Sequence, residues 1–344
     1  MLRNSYRAIQ QWLGLAAMMV LVAPLGASAK HNEENNFCNI TAHLLYNACK
    51  REIEDDKFGE RAVCVNISDG EEREECFDDV KSDHKEAKQE CRDQRTARRD
   101  LCEDLGEARY DPSFEPEDFQ TFFDNLNPYY PIAVGNLWVY ESEDETVSVE
   151  VLDATKLIEG VTCIVVNDVV EEDDDLIEDT DDWFGQRMDG TIDYCGEEAK
   201  DFEYTDGDMP RFPELVEIEG SFKAGRDGAK SGTLFMGSPV VGAKYRQEWA
   251  PTSAEDIAEV LSIDYGFGND ERFDEFVPEE LVELLCDDDC VVTADTSPLD
   301  PEEVEYKFYA YGIGLFLEVK PDEDESLQLV ECNVDPKCDL LPEP

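Results

Sequence analysis

Cys64-Val65-Asn66-Ile67-Ser68-Asp69-Gly70-Glu71-Glu72-Arg73-Glu74-Glu75-Cys76 forms the centre of a symmetrical set of six cysteines. Cys49 and Cys91 lie outward of it, then Cys38 and Cys102, and the spacings along the chain run 11, 15, 12, 15 and 11 residues. Among the pairings open to six cysteines, only the nested scheme Cys38–Cys102, Cys49–Cys91 and Cys64–Cys76 gives every pair one midpoint. The residues between them explain the symmetry. Stretches 38–57 and 71–106 are rich in Glu, Lys, Arg, Ala and Leu and lack proline, which favours helix. Ser68-Asp69-Gly70 marks a turn between them. Two helices folded back about this turn run antiparallel, so an eleven-residue step on one arm matches the same step on the other, about 16 Å along each axis. Asp56-Lys57-Phe58-Gly59 is expected to interrupt the first arm.

The seam expected on the second arm reads Phe77, Val80, His84, Ala87, Cys91, Gln94, Arg98, Leu101 and Leu105. It has heptad spacing but little apolar content in its middle, and disulfides compensate for such a thin core. No Cys-x-x-Cys spacing occurs, which speaks against metal or haem ligation by these residues. Arg92, Arg95, Arg98 and Arg99 make a basic face suited either to solvent, through i,i+4 pairs, or to docking on an acidic surface.

An acidic surface is at hand. Of the formal net charge of −56, residues 30–110 carry −8 (14 Lys+Arg, 22 Asp+Glu) and residues 111–344 carry −50 (13 and 63). That imbalance disfavours nucleic acid and anionic membrane surfaces as partners and favours cations. A hydrophobic content of 41% and 10% aromatic residues is enough to build a core, against wholesale disorder. Residues 1–29 read as a signal peptide: Arg3 and Arg7 precede an apolar run from Leu13 to Leu25, and Ala27-Ser28-Ala29 offers a cleavage site before Lys30. The expected location is periplasmic or secreted, where cysteines pair. The expected organisation is a signal peptide at 1–29, a hairpin at 30–110, a linker at 111–131 and an acidic β-rich domain at 132–344.

From Leu137 the period changes to two. Trp138-Val139-Tyr140, Val147-Ser148-Val149-Glu150-Val151 and Cys163-Ile164-Val165-Val166 read as strands, and Gly312-Ile313-Gly314 joins two more into a hairpin. Pro131, Gly135 and Trp138 are echoed by Pro239, Gly242 and Tyr245, and Glu150-Val151-Leu152 by Glu259-Val260-Leu261. This repeat divides the domain into halves 132–235 and 236–344. The fold class is therefore α+β: a disulfide-laddered antiparallel α-hairpin followed by a mainly antiparallel β half-barrel or roll. Asn127-Pro128-Tyr129-Tyr130-Pro131, followed by Gly135, Trp138, Tyr140 and Glu141, resembles a family of secreted bacterial proteins. Their β-rich region opens Asn-Pro-Tyr-(Phe/Tyr)-Pro and continues Gly-x-x-Trp-x-Tyr-Glu. The likeness extends over residues 182–190, 241–248 and 304–318, implies a bacterial source and carries no catalytic set. The acidic segment 268–290 interrupts that pattern.

Chemistry is sparsely signalled. His31, His43 and His84 all lie in or beside the hairpin, so neither a nucleophilic triad nor a histidine metal centre is indicated in the β-rich domain. Acids are too abundant there for any two to stand out as a hydrolytic pair, and no phosphate-binding loop occurs. Calcium is the candidate cation: Asp287, Asp288 and Asp289 sit between Cys286 and Cys290, and residues 171–182 form a second acidic stretch, although neither has EF-hand spacing. Proximity pairs Cys286–Cys290 and Cys332–Cys338, and elimination leaves Cys163–Cys195. The reading that emerges is a non-enzymatic binding module. Trp138, Tyr140, Trp183, Tyr245 and Trp249 are its candidate ligand-binding residues, presented by a curved sheet to an apolar ligand or protein partner. The alternatives for these aromatics and acids are core packing and an acidic calcium-binding or surface-structural protein; a carboxylate-based hydrolase ranks last.

Overall fold

Asp69 sets where the second helix begins. Its side chain accepts the backbone N–H groups of Glu71 and Glu72, and both glutamates stand in the first turn, where the helix dipole favours negative charge. The computed structural model describes residues 36–123, 126–173, 175–205, 207–218, 220–321 and 325–342, so the expected signal peptide and His31 lie outside the described residues. Helix α1 (Phe37–Val65) and helix α2 (Gly70–Leu105) form the antiparallel hairpin. All three nested disulfides are present, with Cα–Cα separations of 5.6, 5.9 and 5.7 Å, so the arms keep one spacing throughout. Contrary to expectation, α1 runs unbroken through Asp56-Lys57-Phe58-Gly59. Gly59 has no atom near the place a side chain would occupy, so its cost is backbone entropy alone.

The seam is polar, as its sequence implies. Val80, His84, Cys91, Gln94 and Arg98 are buried on α2, whereas α1 buries only Ala42 and Cys64. His84 is satisfied within the hairpin, with Nδ1 3.0 Å from the Ile53 carbonyl and Nε2 3.0 Å from Glu54. Arg98 reaches further. It donates Nε and Nη2 to the two carboxylate oxygens of Glu255, each at 2.8 Å, with both side chains buried. Gln94 donates to the Leu299 carbonyl at 3.0 Å, and Lys244 pairs with Asp104 at 2.6 Å. Of the four arginines on the basic face, Arg98 makes this dock; Arg92 bonds Gln89, and Arg95 lies over the Tyr46 ring.

The β-rich region winds into a nearly closed barrel. Its first half contains β1 (Leu137–Glu141), β2 (Glu145–Ile158), β3 (Val161–Glu172), β4 (Asp175–Gln186) and β5 (Ile192–Glu198). A flap of β6 (Asp201–Glu203) and β7 (Glu214–Glu217) follows, then β8 (Lys230–Phe235). The second half contains β9 (Lys244–Arg246), β10 (Glu248–Trp249), β11 (Ile257–Tyr265), α3 (Glu271–Asp274), α4 (Glu279–Leu285), β12 (Cys290–Thr296), β13 (Val304–Ala310), β14 (Gly314–Lys320) and β15 (Glu325–Cys332). The lateral order is β10-β8-β5-β4-β3-β2-β1-β15-β14-β13-β12-β11-β9, all antiparallel. The series begins and ends on strands separated by Gln247 alone. The segment 244–249 therefore pairs with β11 through its first part and with β8 through its last, which brings the sheet round on itself.

The repeat is structural. Gly135 N–H donates to Val151 O, Val151 N–H to Asn136 O and Asn136 N–H to Ala133 O; Gly242, Val260 and Ala243 make the same three bonds with Val260, Ala243 and Val240. Both glycines have φ near +80° (85° and 81°), a conformation that costs other residues strain. Strand order repeats too: β1-β2-β3-β4-β5-β8 in one half, β9-β11-β12-β13-β14-β15 in the other.

Two outer layers complete the fold. The segment 268–290 is a folded insertion: Phe273 of α3 packs its ring edge-on against Tyr306 and Phe308 of β13, and α4 buries Leu281, Val282 and Leu285. Elsewhere the Cys163–Cys195 disulfide joins β3 to β5 across Gly185 of β4. A Cβ at Gly185 would lie 3.2 Å from Cys195 Sγ and 3.1 Å from the Phe119 ring. Cys286–Cys290 and Cys332–Cys338 are also bonded. Six disulfides fit an oxidising compartment outside the cytoplasm. Among the described residues no helix is long and apolar enough to cross a membrane.

Removing Arg98 strands the buried Glu255 carboxylate. Arg98→Ala should lower unfolding free energy by about 3–5 kcal/mol, and Arg92→Ala by less than about 0.5 kcal/mol, as read by denaturant titration. Gly59→Ala should raise hairpin stability by roughly 0.5–1 kcal/mol; a loss would show that the glycine has a role beyond the helix.

Candidate functional site

Alternation along the strands decides what the barrel encloses. On β3, Val166, Asp168 and Val170 face inward; on β4, Glu178, Asp182 and Phe184; on β13, Glu305, Lys307 and Tyr309; on β1, Trp138 and Tyr140. Together they line a cavity of about 610 Å³, within the range typical of small-molecule sites.

One end of the cavity is floored by the segment that precedes β1. Asn127 donates Nδ2 to the carbonyls of Gly190 (3.0 Å) and Met236 (3.2 Å), which belong to turns at the barrel end. Thus anchored, Tyr130 enters the barrel and packs against Phe184, Phe235 and Tyr309, with ring centroids 5.8, 6.0 and 6.3 Å away. Tyr129 turns outward, its hydroxyl donating to the Asp289 carbonyl at 2.9 Å. Trp138 donates Nε1 to Ile313 O at 2.8 Å and Tyr140 its hydroxyl to Leu315 O at 3.1 Å, which fixes both rings against the wall. The Asn-Pro-Tyr-Tyr-Pro motif and the following Trp and Tyr thus serve one purpose. They plug the barrel and build the apolar end of its cavity. At the opposite end, Ser297, Asp300 and Glu303 border the cavity, and a cluster including Glu141, Glu143, Glu145 and Glu171 lies at the ends of the neighbouring strands.

Between floor and mouth runs a belt of charge. Lys307 Nζ lies 3.7 Å from Asp295, 3.4 Å from Glu305 and 3.6 Å from Glu318. Burial opposes its charge, but Glu318, Glu305 and Asp295 outweigh that and hold the ammonium protonated well above its ordinary range. Lys307 in turn holds Glu305 low, whereas burial raises Glu318 and Asp295 in spite of it. Asp295 also accepts from Thr293 Oγ1 at 2.8 Å and Gln247 Nε2 at 3.0 Å.

Half the ring away, β3, β4 and β5 carry acids alone. The Tyr194 hydroxyl contacts both Asp182 and Glu197. A phenol has one proton to donate, so the two acids compete for it. Burial raises Asp182 well above the carboxylate range, and lifts Glu197 to about 7. Asp168 is held high by burial, then by Asp182, Glu178 and Glu318, against a weaker opposing pull from Lys307. Although Asp168 keeps some exposed surface as a residue, its Oδ1 is buried and has no hydrogen-bond partner.

The five expected aromatic residues are dispersed. Trp138 and Tyr140 line the cavity. Trp183 lies in a separate cluster with Phe119 and the Cys163–Cys195 disulfide, beneath the Lys156 ammonium. Tyr245 packs against the main core, and Trp249 faces Tyr110 at 6.0 Å. In the 286–290 loop, Asp289 accepts from the Asp287 backbone at 2.9 Å and Asp288 from Asn269 at 3.3 Å, so these side chains serve the turn. The 171–182 stretch is a hairpin rather than a loop, and its alternation sends Glu178 and Asp182 inward and Asp179 and Asp181 outward. Among the described residues no group of three or more His, Cys, Asp or Glu is arranged to hold a metal ion. Asp168, Lys307, Asp295 and Glu318 were not singled out by the sequence. Their signal is a charged residue sharing a strand with apolar residues of both parities, as in Glu305-Tyr306-Lys307-Phe308-Tyr309.

No protein-family model matches the chain, and neither a curated protein nor a solved structure is significantly similar to it.

Proposed function

We propose that this is an exported, non-enzymatic binding protein, acting in the periplasm or outside the cell, that holds a small organic molecule in the lumen of its barrel. The observation that carries this reading is the cavity itself: about 610 Å³, floored by Tyr130, walled by Trp138 and Tyr140 and bordered by acids at the other end. A purely structural barrel of this kind would fill its interior with side chains. The Asp182–Tyr194–Glu197 cluster resembles acid/base machinery in composition, but both acids are engaged by one phenol, so binding accounts for the site better than catalysis.

The test is saturable binding of the neutral dye Nile red to the full chain, followed by dye emission and by quenching of tryptophan fluorescence. Val149→Trp, which fills the lumen, should abolish it with the fold retained by circular dichroism. Absence of saturable binding, or binding untouched by Val149→Trp, would count against the reading.

The buried acids also set a pH dependence. Burial raises Asp182 and Asp168 in the folded chain, and lifts Glu197 from 4.5 to about 7. Their contribution to stability is fully present below the ordinary carboxyl range and is lost as pH rises through the folded values. Ligand-free protein should therefore melt at a higher temperature near about pH 5 than near about pH 8, and Glu197→Gln should flatten the slope. A melting temperature that rises across this interval would contradict the assignment.

A further inference from the structure

Resting on that reading, we propose that the molecule held in the lumen is an organic cation, a protonated amine or quaternary ammonium group on an apolar body, with its charge at Asp168. The internal repeat supplies the argument. Val151 and Val260 occupy equivalent places, each accepting the N–H of its half's turn glycine. Val151 pairs with Val166 on β3, and Val260 with Thr293 on β12. Two residues further on stand Asp168 in one half and Asp295 in the other. On the next strand, Val166 faces Asp182 whereas Thr293 faces Lys307. The second half thus shows how this framework satisfies an inward aspartate: Lys307 lies 3.7 Å from Asp295, with Thr293 and Gln247 completing its bonds. The first half has an acid where that lysine would be, and Asp168 Oδ1 is buried without a partner.

The rest of the lumen agrees. Its described lining holds ten Asp and Glu side chains against one lysine. An anionic ligand would meet repulsion from Asp182, Glu178 and Glu318, which add to burial in raising Asp168. A cation brings the charge that a buried carboxylate needs. Tyr130, Tyr140 and Trp138 offer aromatic surface of the kind that holds ammonium groups, and acids at the mouth raise the local concentration of cations. A bare divalent ion fits less well, because it requires about six converging oxygens and no metal-holding group of side chains occurs among the described residues. Where Asp168 carries a proton in the free protein, binding an ammonium ion transfers that proton to solvent, leaving carboxylate and ammonium paired.

Isothermal titration calorimetry of the full chain at neutral pH tests this with octylammonium, octanoate, octanol and calcium chloride. Octylammonium should bind at one site, with an enthalpy that varies with the ionisation enthalpy of the buffer, and octanoate should not bind. Asp168→Asn, nearly identical in shape, should weaken octylammonium by about tenfold or more and octanol by little. Should that variant fail to fold, Glu178→Gln nearer the mouth should weaken octylammonium by about threefold, and an unchanged affinity overturns the proposal. Octanoate or octanol binding as tightly as octylammonium overturns the cation and leaves the lumen reading standing. Calcium binding that excludes octylammonium overturns it in favour of a metal. Failure of every organic probe, Nile red included, removes the lumen reading itself.

Discussion

The segment from Lys244 to Trp249 is shared between two neighbours, and the barrel depends on it. Its first residues complete the hydrogen bonding of β11 and its last residues that of β8, so two edges that would otherwise expose unpaired backbone are both covered. The bend at Gln247 that permits this is held from two sides, by the backbone bond to Asp256 at 2.8 Å and by the side-chain bond to Asp295 at 3.0 Å. The hairpin is fastened beside the same place, because Glu255, the partner of Arg98, immediately precedes Asp256. A thinly cored helical arm is thus tied by a buried, bidentate ion pair to the point where the sheet joins itself.

The two halves of the barrel share a backbone and differ in charge. Equivalent glycines, equivalent carbonyl acceptors and equivalent strand order give each half the same scaffold. On it, one half balances its inward acids with Lys307, while the other bonds Asp182 to Tyr194 and Glu178 to Thr180 and leaves Asp168 Oδ1 without a partner. Such asymmetry in a symmetrical frame places chemistry on one wall without disturbing closure, since the substitutions occupy inward side chains and the hydrogen bonds between strands do not change.

The hairpin was legible because its constraint is arithmetic. Helical rise and antiparallel folding make equal steps on both arms, and the cysteine spacings record those steps directly. The repeat was legible for a similar reason, since Gly135 and Gly242 occupy a backbone conformation that few residues tolerate. The first arm is not interrupted at Gly59 because a glycine in mid-helix costs about 1 kcal/mol, too little to break a helix held at both ends by disulfides. The lumen was hidden for another reason. A period of two says that two faces differ, not which of them is inside. On β13 the apolar residues Tyr306 and Phe308 face outward because Phe273 covers them, leaving Lys307 to the interior. Nothing local to β13 reveals that cover, which arrives from an insertion between β11 and β12. The same ambiguity dispersed the aromatic residues: Trp138 and Tyr140 share a face within one strand, whereas Trp183 and Trp249 belong to other layers.

Tyr130 belongs to the chain before the first strand, yet it forms the floor of the lumen. Its anchor, Asn127, grips turns at residues 190 and 236 that lie far along the sequence, and Phe119 and Gln120 are tied to β4 and the turn after it. The apparent connector between hairpin and barrel is therefore an organ of the barrel. A fragment begun at residue 132, where the periodicity of the strands starts, would be a tube open at both ends. The natural unit begins upstream of Phe119, so the boundary visible in the pattern of residues and the boundary of the folded vessel differ by more than a dozen positions.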